Sequence, residues 1–501
     1  MKEKIIIIGS GFSSLSASCY LAKGGYDVTI LEKNQSVGGR ARVFQKDGFK
    51  FDMGPTWYWM PDVFEKFFAD FYKKPSDFYD LEKLAPAYQV YFDVLNSITI
   101  SDKLTEIYTV FENEEKGSSV YLKKFLKAAK FNYEIAVNNM VYKPGNSITE
   151  LITLDTIKNV NQFFKSISKE VRANIKSKKL IQILEFPVLF LGAKPNKTPS
   201  FYSFMNYADF GLGTWHPKGG MFEVVKGFVS LATELGVSIK TNQNVEKIVV
   251  ENGKAIGVNV NGEFLAADIV ISGADYHHSE SLLDTKYRKY SEKYWENRTF
   301  APSSLLFYVG FNKKIKNISH HTLFFDTNFD VHAMDIYDAP RWPKEPLFYA
   351  SFPSVTDNSF APIGKEAATF LIPIAPGIQD TPEIREYYFV KIMDRLEKLT
   401  DQKVSDTIAF KESYCVNDFV NDYNSYKGNA YGLANTLTQT AFLRPKIKSN
   451  KVKNLFFTGQ LTVPGPGVPP SIISGKIVSE MVQKNTTTKN KSKNNNYETA
   501  I

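Results

Sequence analysis

The stretch Ile5–Arg42, IIIIGSGFSSLSASCYLAKGGYDVTILEKNQSVGGRAR, decides the fold of this chain. The run Ile5–Ile8 is apolar at every position, which is typical of a central strand in a parallel sheet that is buried on both faces. Gly9–Gly11 predicts a turn, and the next residues repeat apolar side chains at helical spacing until Gly24–Gly25 ends the helix. A second apolar run, Val28–Leu31, predicts another strand, so the stretch is a strand–turn–helix–strand unit.

The glycine turn of this unit has the residue types that bind a dinucleotide. Gly9 permits the tight turn, and Gly11 lets backbone N–H groups and the helix N-terminus approach a pyrophosphate. Glu32 lies about twenty residues further on, where a carboxylate can accept hydrogen bonds from ribose hydroxyls. Ser14 replaces the usual third glycine but is small enough for helix and strand to pack closely. The glycines alone also fit a chance turn in an α/β protein; the strand, helix and acid around them favour the dinucleotide site.

Two further motifs favour FAD over a nicotinamide dinucleotide. Gly39 and Arg40 follow within a few residues, and Gly54–Thr56 comes after the next strand. FAD is a longer ligand that folds back over the sheet, so it can use both motifs, whereas a nicotinamide site needs neither. Arg40 can pair with the diphosphate, although an ordinary surface arginine is the alternative, and Gly54–Thr56 can bring backbone against the flavin ring. The sequence has no second G-x-G-x-x-G, so we expect no separate nicotinamide site.

The composition describes a globular protein with two closely joined domains. A chain of 501 residues, 43% hydrophobic and 23% charged, is too long for one simple core. Its 39 Phe and 27 Tyr suit packed cores, a long apolar cavity or a membrane-facing surface. Two cysteines, Cys19 and Cys415, argue against a disulfide framework and indicate a reducing cytoplasm.

The charge pattern and the histidine spacing argue against a nucleic-acid-binding protein and against a metalloprotein. A net charge of +8 comes without a basic helix or an aromatic-basic repeat, so we expect no nucleic-acid partner. Six histidines occur, but no cysteine or carboxylate spacing completes a metal site, so we expect no metal.

The rest of the chain predicts the domain organisation. Two strands around an Asn96-Ser97 turn, with a helix over 119–143, begin a second domain, and the chain returns to the first near His216. Turns at Asn252-Gly253 and Asn261-Gly262 predict a β-meander. The fold class is therefore α/β: a doubly wound, FAD-binding parallel sheet with a β-meander, plus a substrate domain with an antiparallel sheet and helices. The predicted boundaries are 1–75, 216–285 and 425–484 for the FAD domain, 76–215 and 286–424 for the substrate and membrane-facing domain, and 485–501 for a disordered tail.

The substrate domain also contains a candidate membrane contact. Phe163, Phe164, Ile167 and Val171 share one helical face, and the segment Arg172–Leu191 follows with cations next to apolar residues. A solvated basic helix followed by a buried turn is the alternative. No stretch approaches the roughly 20 apolar residues of a membrane span, and no signal peptide is recognisable. We expect a cytoplasmic protein, peripheral on the inner face of the cell membrane.

The last ordered stretch is Asn454–Val482. Leu455–Thr458 predicts a buried strand that ends at Gly459, and a Pro/Gly-rich loop leads to Pro470 as the first residue of a helix. The N-terminus of this helix can favour negative charge on a reduced flavin. A plain C-terminal strand–helix unit is the alternative.

Up to about Lys484 the sequence resembles the bacterial and fungal type of phytoene desaturases, carotenoid oxidoreductases of the flavin amine oxidase-like superfamily. The motifs that carry the resemblance are IIIIGSGFSSLSAS, LEKNQSVGGRAR, FDMGPTWYWMPDVF, HPKGGM, DIYDAPRWP, LIPIAPG and TGQLTVPGPGVPPSIISGK. The resemblance implies that the backbone of Val245 contacts adenine; Gln460 stands where the wider family commonly has an acid. The predicted FAD-binding residues are Gly9, Gly11, Ser13, Ser14, Glu32, Lys33, Gly39, Arg40, Gly54, Pro55, Thr56, Val245, Gly459, Gln460, Pro470, Ser471 and Ile472.

The resemblance implies FAD-dependent desaturation of phytoene to lycopene or a nearby intermediate, with hydride transfer to flavin N5. The spacing selects no catalytic base, and electrons from the reduced flavin go to oxygen or a quinone. Trp57–Met60 follows the flavin-contact turn and either packs in the core or lines the substrate tunnel. The alternatives are a desaturase of a hydroxylated carotenoid, a carotenoid cis–trans isomerase, and a non-catalytic binding protein like the GDP-dissociation inhibitors.

Overall fold

The computed structural model describes residues 2–151, 162, 165–436 and 438–498. Phe163 and Phe164, which the sequence places on one helical face, lie outside the described residues. The strands are β1 (Lys4–Ile8), β2 (Asp27–Leu31), β3 (Val43–Lys46), β4 (Phe49–Asp52), β5 (Leu81–Lys83), β6 (Tyr88–Asp93), β7 (Asn96–Ile100), β8 (Trp215–Pro217), β9 (Ser238–Lys240), β10 (Val245–Glu251), β11 (Lys254–Val260), β12 (Glu263–Ala266), β13 (Ile269–Ser272), β14 (Ser303–Phe311), β15 (His321–Phe324), β16 (Phe348–Ser351), β17 (Glu366–Ile374), β18 (Ile408–Tyr414) and β19 (Leu455–Phe457).

The helices connect and cover these strands. They are α1 (Phe12–Lys23), α2 (Pro61–Ala69), α3 (Leu104–Glu114), α4 (Ser118–Ile135), α5 (Ile167–Arg172), α6 (Lys178–Glu185), α7 (Phe204–Asn206), α8 (Met221–Glu234), α9 (Tyr276–Ser281), α10 (Glu292–Glu296), α11 (Phe329–Tyr337), α12 (Pro382–Thr400), α13 (Val416–Tyr423) and α14 (Val468–Glu498).

The first sheet is parallel and has the order β19-β13-β1-β2-β9. Ile5 and Ile7 of β1 pack into a core with α1, α8 and α14, whereas Ile6 and Ile8 pack against the meander β10–β12. Both faces of β1 are therefore buried, as the unbroken apolar run predicts. The strands of this sheet come from three separate parts of the chain, which the sheet brings together.

The meander has the two predicted hairpin turns. Asn252 and Gly253 have φ of 50° and 72°, and Asn261 and Gly262 have φ of 49° and 81°. Two successive residues with positive φ define a type I′ turn, which matches the twist of the strands.

The second sheet is larger, with the order β18-β14-β17-β16-β15-β6-β7, and every pair except β15 with β6 is antiparallel. Helix α12 covers one face through an apolar core that includes Phe307, Phe370 and Ile392. The mixed α/β fold with this sheet agrees with the predicted class. The predicted domain boundaries stay predictions.

The structure corrects two local predictions in this part of the chain. The turn between β6 and β7 is at Val94-Leu95 rather than at Asn96-Ser97, and Leu95 has a φ of 48°. Asn96 pairs with Asp93 across the hairpin, so the asparagine that marks the turn in sequence opens the strand instead. The helix expected over 119–143 is α4, which ends at Ile135 and continues as a π-helical turn.

The C-terminal helix also differs from expectation. α14 begins at Val468, so Pro470 is its third residue and not its first. The helix continues to Glu498 and covers most of the 485–501 segment that the composition predicts to be disordered. Extending a helix whose first turns are already packed avoids the cost of nucleation, which is why an apolar-poor sequence can continue it. No helix among the described residues has the length and apolarity of a membrane span.

Candidate active site

A cavity of about 560 Å³ lies between the two sheets. One part follows the carboxyl ends of β1, β2, β13 and β19, and the other lies against strands β14 to β17 of the second sheet. The carboxyl edge of an open parallel sheet is where such folds bind ligands.

Most of the predicted cofactor-binding residues meet at this cavity although they lie far apart in sequence. Ser14 and Ile472 do not line it: the Ser14 side chain is fully buried against Gly273, and the Ile472 carbonyl accepts a hydrogen bond from Ser16 Oγ at 2.8 Å. The predicted residues that line the cavity are Gly9, Gly11, Ser13, Glu32, Lys33, Gly39, Arg40, Gly54, Pro55, Thr56, Val245, Gly459, Gln460, Pro470 and Ser471.

The glycine turn leaves free space over its backbone. Gly9 has a φ of 86° and donates its N–H to the Leu31 carbonyl at 2.8 Å, which fixes the turn against β2. A Cβ added to Gly11 would meet no atom within 4 Å, and one added to Gly39 would lie 3.2 Å from the Gly11 Cα. The open position at the start of α1 is therefore a cradle that a bound group can fill.

The acid at the end of β2 is held firmly. Glu32 is buried; one carboxylate oxygen accepts from the backbone N–H and hydroxyl of Ser10 at 2.9 and 2.7 Å, and the other accepts from Asn34 N at 2.9 Å. Lys33 Nζ donates to the Asn421 carbonyl at 2.7 Å, and burial lowers the pKa of this lysine. The bonds from Ser10 and Asn34 position the Glu32 carboxylate at the edge of the cradle.

Arg40 supplies a partly buried positive charge to the cavity. Its Nη2 donates to Ser425 Oγ and to the Asn429 carbonyl, each at 3.2 Å, while its Nε is buried and has no hydrogen-bond partner among the described residues. Burial lowers the pKa of Arg40, and the nearby Asp275 acts in the opposite direction. A partly buried guanidinium with an unpartnered N–H that lines a cavity fits an anionic group such as a diphosphate.

The Gly54–Thr56 turn lies directly on Arg40. A Cβ on Gly54 would come 2.2 Å from the Arg40 carbonyl oxygen, so only glycine allows this approach. Thr56 Oγ1 and the Tyr349 hydroxyl are 2.8 Å apart, which ties the turn to the second sheet. The same turn therefore contacts both parts of the cavity.

The part of the cavity against the second sheet is mainly apolar and aromatic. Trp57, Trp59 and Met60 line it, so the predicted aromatic cluster reaches the cavity, but Tyr58 is buried elsewhere and hydrogen-bonded to Tyr79. The further lining residues here have no signal in the sequence, because they lie in or beside buried strands and helices with ordinary core composition. They include Phe186, Leu323, Phe325, Phe329, Leu347 and Tyr349.

The histidines form no metal centre within the part of the chain that the structure describes. No three His, Cys, Asp or Glu side chains come together there as a metal site requires. His216 Nε2 instead lies 3.1 Å from Asp357 Oδ2, and His332 lines the cavity with both ring nitrogens in hydrogen bonds.

Comparison with known proteins agrees with this geometry. The chain belongs to the flavin containing amine oxidoreductase family, whose profile matches residues 12–483. It is 40% identical over 482 residues to a carotenoid 3,4-desaturase of Haloarcula japonica, covering 95% of this chain and 97% of that protein. It is 30% identical over 488 residues to a zeta-carotene-forming phytoene desaturase of Myxococcus xanthus, covering 95% and 93%.

A solved structure shares the fold. Cyclohexylamine oxidase from Brevibacterium oxydans superposes with a TM-score of 0.58 at 13% identity, covering 97% of this chain and 100% of that one. The resemblance to carotenoid desaturases and the predicted cofactor are confirmed. The protein is an FAD-dependent oxidoreductase.

Proposed function

We propose that this protein is a carotenoid desaturase that removes hydrogen from a long acyclic polyene. The proposal rests on one observation. A single cavity has the Gly11 turn and the partly buried Arg40 at one side and an apolar, aromatic wall at the other. A flexible hydrocarbon substrate needs exclusion of water more than polar anchors, and such walls provide it. The similarity to carotenoid desaturases over 95% of the chain supports the same substrate class.

The chain's own residues would hold the cofactor and orient the substrate. Gly11 leaves room for the pyrophosphate, the Arg40 Nε–H is available to it, and Glu32 is held where ribose hydroxyls can donate to it. FAD, when bound, accepts the hydride that leaves an allylic carbon. The aromatic faces of Trp57 and Phe186 can stabilise positive charge that develops on the polyene.

Within this class, desaturation of phytoene to lycopene or a nearby intermediate is the first candidate reaction. Desaturation at the 3,4 position of a carotenoid, including a hydroxylated one, is the second, because the relative with 40% identity carries that name. A carotenoid cis–trans isomerase would use the same site without net oxidation. We propose oxygen or a quinone as the electron acceptor.

We also propose peripheral membrane association, since the substrate dissolves only in lipid, but through a different segment from Arg172–Leu191. In that segment Arg172 is paired with Glu185 and Asp330, and Leu180 and Ile183 are buried, so they are not free to enter a membrane. Helix α4 is a better candidate. Its exposed residues include Val120, Lys123, Lys124, Lys127, Lys130 and Phe131, and the turn that follows it contributes Ala136, Val137 and Met140 to the cavity wall.

The test of the reaction is product analysis. FAD-loaded protein in liposomes should convert phytoene under air or with a quinone into products with longer conjugation, read by their absorption after chromatography. Conversion only of lycopene or a hydroxylated carotenoid would support 3,4-desaturation instead, and a change of geometry without oxidation would support isomerisation. If all these carotenoids stay unchanged while the protein is fully flavin-loaded, the proposed function is wrong.

A further inference from the structure

Desaturation removes a hydride and a proton from neighbouring carbons, and the sequence selects no group to accept the proton. The structure reduces the number of candidate proton acceptors, because an acceptor has to face the cavity and has to have a free lone pair. It should also lie where the Gly54–Thr56 turn meets the apolar wall, since the reacting carbon has to reach both parts of the cavity.

The four carboxylates that line the cavity are already engaged. Asp275 accepts from the backbone N–H groups of His277 and Tyr426, and Asp422 is paired with Arg42. Glu32 accepts from Ser10 and Asn34, and Glu150 accepts from the backbone N–H groups of Gly145 and Asn146 at 2.8 and 3.0 Å. Glu32 follows β2 at the carboxyl edge of the parallel sheet, and Glu150 lies in the segment after α4, so neither belongs to a strand of the second sheet.

The histidine in the apolar wall is also unable to accept. His332 Nδ1 accepts from Leu347 N at 3.0 Å, and Nε2 lies 2.8 Å from the Pro373 carbonyl, to which it can only donate. Both nitrogens are therefore used, and the ring is fixed as the neutral Nε2–H tautomer. Burial lowers the pKa of His332 to about 4, in agreement with a neutral ring.

Tyr349 differs from these groups. It lies on β16 and lines the cavity, its hydroxyl is 2.8 Å from Thr56 Oγ1, and an imidazole nitrogen, His321 Nδ1, lies 2.6 Å behind it. His321 is fully buried, and its Nε2 has no hydrogen-bond partner among the described residues. The indole of Trp57 stacks on the imidazole with 4.1 Å between centroids and 10° between planes.

We infer that the Tyr349 hydroxyl accepts the proton lost by the substrate while it passes its own proton to His321 Nδ1. This inference rests on the proposed desaturation. The C–H electron pair of one carbon would leave as a hydride to bound FAD, and the C–H bond of the neighbouring carbon breaks so that its electron pair forms the double bond. The released proton binds the tyrosine oxygen, the tyrosine O–H bond breaks toward the imidazole, and Tyr349 stays a neutral phenol. When the product leaves, the imidazolium returns the proton through the Tyr349 hydroxyl to water that enters the cavity, so both groups are neutral again before the next turnover. His321 acts through Tyr349 and is a positioning residue.

The pKa shifts of Tyr349 and His321 agree with a pair that holds the substrate's proton only briefly. Burial lowers the pKa of His321 well below its usual range, and His216 acts in the same direction, so the resting ring is neutral with a lone pair available. Burial also raises the pKa of Tyr349, so it rests as a phenol. A carbon next to an allylic cation is a strong acid, so a weak base is sufficient, and the Trp57 face can stabilise the brief imidazolium.

The experiment follows flavin reduction by the carotenoid in a single turnover without oxygen. Tyr349→Phe and His321→Gln should each slow the loss of oxidised flavin absorbance by about 10²-fold, the usual contribution of a general base. Tyr91→Phe is the matched control, since this buried tyrosine lies on β6 of the same sheet and donates to the Asn317 carbonyl away from the cavity. It should keep the wild-type rate.

A second measurement does not depend on turnover. In the oxidised, FAD-loaded protein labelled with ¹⁵N-histidine, Tyr349→Phe should shift the Nδ1 resonance of His321, and Tyr91→Phe should not. A wild-type rate of flavin reduction in Tyr349→Phe, or an unchanged His321 resonance, would overturn the inference while the desaturase proposal stands. If the wild-type flavin is reduced by no carotenoid, the proposed function fails and this inference fails with it.

Discussion

At the scale of single residues, two glycines of the candidate site, Gly11 and Gly54, matter because they have no side chain. Gly11 has a φ of −68°, which any residue can adopt, and the position where its Cβ would lie is empty. The fold itself therefore does not require glycine at position 11, which agrees with the prediction that this position is kept open for a ligand. Gly54 is the opposite case, because its missing side chain makes room for the Arg40 carbonyl.

Gly11→Val should abolish FAD binding with little effect on the folded chain, because its side chain enters the cofactor cradle. We expect at least a 100-fold weaker binding of FAD, measured by fluorescence titration of the FAD-free protein. Gly11→Ala should give an intermediate loss. The melting temperature of the FAD-free protein should stay within a few degrees of wild type; a large drop would mean that the glycine serves the fold.

Asp209 should make stability depend on pH. It is buried with one oxygen accepting from the Tyr88 hydroxyl at 2.8 Å and the other unpartnered, and burial raises its pKa to about 8. The folded protein keeps this proton up to about pH 8, whereas the unfolded chain releases it near pH 4. The free energy of unfolding should therefore fall as pH rises between these values, by up to about 1.4 kcal/mol per pH unit.

Asp209→Asn should remove this slope, measured by denaturant unfolding at several pH values. Asp406→Asn, at an exposed position, is the control and should leave the slope as in wild type. A slope that survives in Asp209→Asn would show that other groups cause it.

At the scale of elements, two basic segments have different surroundings. In α5 and α6 the apolar residues are packed inward and Arg172 and Lys179 are in ion pairs, so these helices behave as ordinary surface helices. In α4 the lysines share their exposed face with Val120 and Phe131. Cations next to apolar residues therefore occur both in helices whose apolar face is packed inward and in a helix whose apolar residues are exposed. The burial of each helix face, and not the composition, distinguishes the two.

Replacing Lys123, Lys124, Lys127 and Lys130 by Gln should weaken binding to anionic liposomes by at least tenfold. Each lysine near an anionic surface contributes about 1 kcal/mol, and the effect should shrink at high salt. Flotation of the FAD-loaded protein measures it. Lys176→Gln with Lys178→Gln, in the segment first selected from sequence, is the control and should bind like wild type; the reverse result would move the membrane contact back to that segment.

At the scale of the whole molecule, the candidate active site is a cavity that residues of both sheets line. Trp57 follows the Gly54–Thr56 turn, lines the cavity, and stacks on His321 of the second sheet. The loop that follows the predicted cofactor-binding turn therefore forms part of the cavity wall. Changes in this loop should alter which bond of the substrate is presented to the flavin.

Trp57→Ala with Trp59→Ala should change the ratio of desaturation intermediates more than the FAD content. The enlarged wall allows more positions of the polyene, so pigments from a phytoene-producing host should shift in chromatography. Trp342→Ala is a matched control, because Trp342 stacks on Tyr388 outside the residues that line the cavity. An unchanged intermediate pattern in the double variant, at wild-type FAD content, would contradict this role of the loop.

FAD should be held without a covalent bond. Cys19 and Cys415 are buried and do not line the cavity, and the two lining histidines, His278 and His332, each have Nε2 in a hydrogen bond. Acid precipitation should leave a colourless pellet and release the yellow flavin into solution, where its absorbance equals that of the native protein. A pellet that stays yellow would indicate covalent attachment.

The sequence by itself determined the features that depend on neighbouring residues. The apolar run at Ile5–Ile8 and the glycines after it required a buried parallel strand and a ligand-binding turn, and Asn-Gly pairs required the hairpins of the meander. Each of these depends on local conformational preference. The cofactor motifs could therefore be predicted, and fifteen of the seventeen predicted residues line the cavity, with Ser14 and Ile472 outside its lining.

Only the tertiary structure decided which distant residues form the rest of the site. Tyr349 and His321 lie on neighbouring antiparallel strands, and nothing in the sequence near either residue indicates that Thr56 and Trp57 lie against them. The same holds for Arg172, whose charge is neutralised by Glu185 and Asp330 only after the helices pack. Side chains that meet across a sheet leave no periodic pattern in sequence, because the strand register and not the spacing along the chain sets their contact.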